Sequence, residues 1–208
     1  MLSWIFYTIY RIVFIMTHDI FVGSRVPNFE VAAYHKDKII TFKSGAYRGK
    51  WLILFFYPAD FTFICPTELE ELADHYAAFK KEGAEIVSVS ADTAYVHKAW
   101  HDQSAAIGKI IFPMAADPKG VLARMFGTYI EEGEDAGLSL RGTFLIDPDG
   151  VLRAMEINDN TIGRSAKELL RKLRAAKFVR EHGGQVCPAG WEPGGKTLKP
   201  GLGLVGKL

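Results

Sequence analysis

Cysteine is scarce: the chain of 208 residues holds two, Cys65 and Cys187. Two cysteines in a chain this long do not make the disulfide framework that staples small secreted domains, so each thiol has to be explained by its own surroundings. An excess of one charge is lacking too, with 25 Lys and Arg against 24 Asp and Glu. Proteins that grip nucleic acid usually carry a basic excess or stripe, and that class finds no support here. No internal repeat, long linker or low-complexity tract occurs. A content of 49% hydrophobic and 12% aromatic residues excludes disordered and collagen-like chains. What remains is an ordinary globular composition, long enough for one well-cored α/β domain or at most two small ones.

A long uninterrupted apolar run is also missing. Residues 1–16 are mostly apolar and aromatic, but Arg11 sits inside them, and a membrane span needs about 20 apolar residues. A secretory signal would place its charge before the run and a small-residue cleavage site after it, whereas Thr17, His18 and Asp19 follow. Three readings stay open for residues 1–16: an interfacial anchor, a partner-binding arm, or upstream sequence preceding a start at Met16. A compact domain begins near Phe21, and without an export signal the default compartment is the cytoplasm.

The patterning predicts strands over 38–42, 51–57 and 85–90 and one near Ile110, the second of them apolar throughout, as a central buried strand is. A helix is expected over 65–82, with Leu69, Leu72, Ala73, Tyr76 and Phe79 on one face and Gly83 closing its end. Further helices are expected over 95–104, shortly after Pro118, and over 164–181. The strands 143–146 and 151–157 flank Asp147-Pro-Asp-Gly150 and pair as a hairpin. This order describes an α/β domain: a central mixed sheet flanked by helices on both faces, followed by a Gly- and Pro-rich tail able to move. The expected organisation is residues 1–16 as an apolar extension, 17–182 as the domain and 183–208 as a C-terminal tail.

Chemistry in such a sheet gathers where a strand's C-terminal end feeds a helix, and Cys65 occupies that place. It falls in the first helical turn, with Pro66 close behind where a missing N–H costs little. Unsatisfied N–H groups and the positive end of the helix dipole there stabilise an anion, and the thiolate is a thiol's reactive form. Thr62 stands where the first cysteine of a Cys-x-x-Cys redox motif would be. Its hydroxyl suits a substrate oxygen better than a disulfide.

The segment Phe55-Phe-Tyr-Pro-Ala-Asp-Phe-Thr-Phe-Ile-Cys-Pro-Thr-Glu68 resembles the active-site segment of the typical two-cysteine peroxiredoxins, in particular the alkyl hydroperoxide reductase peroxidase subunit group. The similarity continues through Ser88-Val-Ser-Ala-Asp92, His97-Lys-Ala-Trp-His101, Arg141-Gly-Thr-Phe144, Gly163-Arg-Ser165 and Gly184-Gln-Val-Cys-Pro-Ala-Gly-Trp191. It covers about residues 21–200. The resemblance implies a thioredoxin-like fold, with Cys65 as the peroxidatic cysteine and Pro58, Thr62 and Arg141 completing its pocket. Glu68 and Arg164 resemble the family's ion-pair partners that orient Arg141. Cys187 would be the resolving cysteine, reaching Cys65 of a partner subunit. By the same analogy the chain forms a homodimer, often a ring of five dimers, and reduces hydrogen peroxide and organic hydroperoxides. Its electrons would come from a thioredoxin-like protein or a flavoprotein disulfide reductase, with no metal and no bound organic cofactor.

Other signals weigh less. His97 and His101 have the spacing of a zinc half-site but no further ligands, and read as helix-surface histidines. Gly201-Leu-Gly-Leu-Val-Gly206 matches a dinucleotide fingerprint out of context, with no strand before it. Two competing activities are a thiol–disulfide oxidoreductase, disfavoured by Thr62, and a holdase-type chaperone assembly. Residues 131–138 lack the Gly-Gly-Leu-Gly loop of readily overoxidised members, and the end lacks their Tyr-Phe helix, so resistance to excess peroxide is expected.

Overall fold

The computed structural model describes residues 20–207, so the three readings of residues 1–16 lie outside the described residues. The strands are β1 (Glu30–His35), β2 (Lys38–Lys43), β3 (Trp51–Phe56), β4 (Ala84–Ser90), β5 (Met114–Ala116), β6 (Arg141–Ile146) and β7 (Leu152–Asn158). The helices are α1 (Cys65–Lys81), α2 (Ala94–Gln103), α3 (Val121–Met125) and α4 (Ala166–Glu181). One seven-stranded mixed sheet results, in the order β2-β1-β5-β4-β3-β6-β7. The pairs β3–β4 and β4–β5 are parallel, and the others are antiparallel.

Strand β3 shows why the sheet is buried on both faces. Successive side chains point to opposite faces, so Ile53 and Phe55 join one apolar layer with Leu69, Leu72 and Phe79 of α1, Trp100 of α2 and Leu170 and Leu173 of α4. Leu52, Leu54 and Phe56 join the other layer with Leu122, Phe126, Val26 and Phe29. The second face is thus covered by the short α3 and by irregular chain ahead of β1.

Most of the expected elements are present, with shifts that have local causes. Helix α1 ends at Lys81, where Gly83 takes φ +78° and its N–H bonds the Lys80 carbonyl. The expected strand near Ile110 is a 3-10 turn at Ile107–Lys109. The Ile110 N–H there bonds the Ile107 carbonyl, and the strand waits until Met114, after Pro113, which has no N–H for a ladder. Helix α4 starts at Ala166 rather than 164, because Ser165 is its N-cap and the Arg164 N–H is taken by Glu68. Strand β1 was not anticipated, since its Glu-Val-Ala-Ala-Tyr-His sequence alternates poorly. The tail closes on itself where Val186 and Leu198 exchange backbone hydrogen bonds. It docks on α4 where buried Trp191 packs on Phe178 and its carbonyl accepts from Arg171 Nη1 at 3.1 Å.

Candidate active site

Two features of the fold set the site. Helix α1 opens directly on Cys65, with Pro66 next, and no side chain caps it. The Thr67 and Glu68 N–H groups bond the Ile64 carbonyl at 3.0 and 3.2 Å, and Pro66 has no N–H. What the helix start sets beside the sulfur is therefore the positive end of its dipole and the Cys65 N–H. Strand β6 runs antiparallel to β3 with Thr143 opposite Phe55, which brings Arg141, at the start of β6, level with the chain leaving β3 toward Cys65.

Cys65 is fully buried, and Nη1 of Arg141 lies 3.4 Å from its Sγ. The same Nη1 donates to Glu68 Oε2 at 2.8 Å, and Nε donates to the Asn160 carbonyl at 2.9 Å. Glu68 is a turn further along α1 and grips a second guanidinium: Arg164 donates to it from Nε at 2.9 Å, from Nη2 at 3.0 Å and from its backbone N–H at 2.8 Å. Arg164 Nη1 is spent on the Gly142 carbonyl and Thr143 Oγ1, and its guanidinium lies 3.4 Å from the centre of the Phe55 ring. Burial pulls Arg164 below the ordinary guanidinium value, against the opposing pull of Glu68.

The charge count of this cluster decides its chemistry. Two guanidiniums and one carboxylate, all nearly inaccessible to water, leave one positive charge uncompensated. Buried charge without a partner is costly, and the nearest group able to supply the missing negative charge is the Cys65 sulfur. Arg141 and the helix start therefore both place positive charge against this sulfur.

The structure brings Cys65, Arg141, Glu68 and Arg164 into one contact network. Pro58 is buried just beyond β3. Thr62 is half-buried and donates its hydroxyl to the Ala59 carbonyl at 3.0 Å, which leaves its oxygen lone pairs available as acceptors. Cys187 lies apart, with its Sγ 3.9 Å from the Ala175 carbonyl of α4, and the two thiols are not bonded to each other. Burial pushes the Cys187 thiol up, while Arg171 pulls the other way.

The expectation of helix-surface histidines fails at His97. It is fully buried, with Nδ1 2.7 Å from Asp60 Oδ2 and Nε2 3.2 Å from the Ala115 carbonyl. Its spacing from Ala94 and Trp100, both buried, puts all three on the inner face of α2 and is the signal that marks it. His101 is half-buried against Tyr34.

A model described as the AhpC/TSA family matches residues 22–155, well over half the chain. The chain belongs to that family. A second model, described as the C-terminal domain of 1-Cys peroxiredoxin, matches residues 175–201, the stretch holding Cys187. Among peroxiredoxins the chain is 50% identical over 188 residues to the Alkyl hydroperoxide reductase C of Amphibacillus xylanus, covering 90% of this chain and 98% of that one. It is 49% identical over 187 residues to the protein of the same name in Bacillus subtilis, with the same two coverages. The crystal structure of Enterococcus faecalis AhpC superposes with a TM-score of 0.77 at 47% identity, covering 81% of this chain and 99% of that one. The reduced 2-Cys peroxiredoxin of Plasmodium vivax gives 0.79 at 31% identity, with 85% and 91% covered. The fold is accordingly the thioredoxin-like fold of peroxiredoxins, and the protein is a thiol-dependent peroxidase. Membership implies a peroxide substrate, self-assembly and an external reductant. Neither the chaperone nor the thiol–disulfide oxidoreductase reading is favoured by these likenesses.

Proposed function

We propose that Cys65 is the peroxidatic cysteine and Cys187 the resolving one, in a cycle that reduces hydrogen peroxide and organic hydroperoxides. The observation that carries the reading is the Arg141 guanidinium 3.4 Å from a buried helix-start thiol. The Cys65 thiolate attacks one peroxide oxygen; the S–O bond forms as the O–O bond breaks, and the departing oxygen leaves as an alcohol or water once protonated. Arg141 and the Cys65 N–H at the helix start offset the charge that develops, an oxyanion-hole arrangement set before substrate arrives. Thr62 accepts from the peroxide hydroxyl, and Pro58 covers the sulfur from water. Glu68 and Arg164 hold Arg141 in place.

The sulfenic acid left on Cys65 then condenses with the Cys187 thiol, forming an S–S bond and releasing one water. In this reading residues 17–182 are the peroxidase domain and 183–208 the arm that delivers Cys187 to a second copy. The working unit is a homodimer, and five dimers close a ring. A thioredoxin-like protein or a flavoprotein disulfide reductase restores both thiols. No metal or organic cofactor takes part, and the cycle runs in the cytoplasm. Among the described residues no helix is long and apolar enough to cross a membrane.

The test is hydrogen peroxide consumption with dithiothreitol as reductant. Wild type turns over, Cys65→Ser does not, and Cys187→Ser retains the first oxidation of Cys65. Turnover that persists in Cys65→Ser defeats the reading.

A further inference from the structure

The loop between β3 and α1 carries Pro58 and Thr62, and it is held by a buried polar chain that the reaction itself does not use. The Tyr57 hydroxyl donates to Asp60 Oδ1 at 2.7 Å, and His97 Nδ1 meets Asp60 Oδ2 at 2.7 Å. The Asp60 N–H donates to Asp92 Oδ2 at 2.7 Å, and the Ser90 hydroxyl donates to the same oxygen at 2.9 Å. Asp60 is therefore fixed through both its side chain and its backbone, by three separate elements: the end of β3, α2, and the chain leaving β4.

The protons on this chain follow from its acceptors. The Ala115 carbonyl beside His97 Nε2 can only accept, so Nε2 carries a hydrogen, and a second hydrogen lies between Nδ1 and Asp60. Whether that second proton sits on nitrogen or oxygen, His97 and Asp60 together are neutral. The pair thus avoids an uncompensated buried charge, although both side chains have no exposure at all. Burial pushes the Asp60 carboxyl up, against the hydrogen bonds from His97 and Tyr57.

Stability alone does not call for such a chain, because an apolar filling of the same volume does as well or better. What the chain holds is a strained turn. Phe61, directly between Asp60 and Thr62, has φ +56°, a left-handed backbone that is strained for a bulky non-glycine residue. Such a conformation persists only where its surroundings fix it, and the residue before it is the most heavily anchored in the loop.

We infer that the buried Asp60–His97 pair, with Tyr57 and Asp92, is a positioning device that keeps Phe61 in its left-handed turn and so sets Pro58 and Thr62 over the Cys65 sulfur. The inference rests on the reading of Cys65 as the residue that attacks peroxide. His97 and Asp60 touch neither the sulfur nor the substrate and act through the loop. Loss of the device misplaces the loop and slows the reaction with peroxide by about 10–100-fold, the scale on which displacements near 1 Å act. It leaves the Arg141–Cys65 contact intact, so attack of the same sulfur on a non-peroxide electrophile does not slow.

The experiment compares two rates in each folded protein: oxidation of Cys65 by hydrogen peroxide and its alkylation by iodoacetamide. In His97→Leu the first is expected to fall by the stated factor while the second holds or rises. His97→Asn, which keeps an N–H donor at the Nδ1 position, restores peroxide reactivity. Should His97→Leu not fold, Tyr57→Phe removes one hydroxyl from the chain and is read in the same way. Peroxide reactivity unchanged in these variants, or the two rates falling together, overturns the inference. If Cys65→Ser still consumes peroxide, the assignment of Cys65 fails, and the positioning role fails with it for a separately visible reason.

Discussion

At the scale of single residues, one unbalanced buried charge explains the site. Glu68 accepts three hydrogen bonds from Arg164 and a fourth from Arg141, so Arg141 is steadied without being neutralised. Replacing Arg141 by Gln removes the positive charge facing the sulfur while Glu68 keeps Arg164. The second-order rate with hydrogen peroxide is expected to fall about 10²–10³-fold, the usual cost of losing one preorganised donor to a developing oxyanion. Stopped-flow oxidation kinetics at neutral pH would check this, and a loss under threefold would remove Arg141 from the reaction. At this scale the sequence was informative about Cys65, whose helix-start position follows from the apolar strand before it and Pro66 after it. Arg141 was legible only through family resemblance, because a contact across 76 positions depends on sheet pairing that local pattern does not contain. His97 was misread because a histidine's spacing on a helix does not reveal an aspartate 37 positions earlier as its partner.

At the scale of elements, β6 places Arg141 and α4 backs α1. Gly142 follows Arg141 in β6, and a Cβ there would meet Thr128 Cγ2 at 2.5 Å and the Phe144 ring at 2.8 Å. Gly142→Ala is expected to destabilise the fold by about 1–3 kcal/mol, as overpacking does, and to lower peroxidase activity by shifting the start of β6. Chemical denaturation with parallel activity assays would show both effects together. Helices α1 and α4 are joined where Glu82, capping the end of α1, accepts from Arg174 Nε at 3.0 Å and Lys177 Nζ at 2.8 Å. Burial raises the Glu82 carboxyl, but these two donors outweigh it and hold the group below its ordinary value. A carboxyl depressed in the folded state stabilises the fold above its unfolded value and loses that stabilisation as pH falls through the folded one. The melting temperature of wild type should therefore drop more steeply than that of Glu82→Gln on acidification through and below about pH 4.5, where an unperturbed glutamate titrates. The elements themselves were the best-read level, since β3 and α1 announce themselves by run length and by 3.6-residue spacing. Strand β1 and the position of β5 were missed, because short strands without clear alternation are defined by their neighbours.

At the scale of the whole molecule, the two thiols lie in different parts of the chain, one sealed at the start of α1 and the other on a tail docked against α4. The tail is held against α4 by Trp191 on Phe178, by the Arg171 hydrogen bond to the Trp191 carbonyl at 3.1 Å and by Cys187 beside Ala175, contacts few enough to release. Residues 131–138 form a tight acidic hairpin in which Gly137 donates to Ile130 and Ile130 accepts from and donates across the turn. With that hairpin in place of a Gly-Gly-Leu-Gly loop, release of the tail is expected to compete well with a second oxidation of Cys65. Activity should persist through many turnovers at millimolar hydrogen peroxide, and its loss within a few turnovers at micromolar levels would refute this. The most direct trial of the account is separation under non-reducing conditions after one equivalent of hydrogen peroxide, with peptide mapping of any crosslink. The account predicts a covalent dimer joining Cys65 of one copy to Cys187 of another, formed by wild type and by neither Cys65→Ser nor Cys187→Ser. A crosslink within a single chain, or a dimer that survives either substitution, would contradict it.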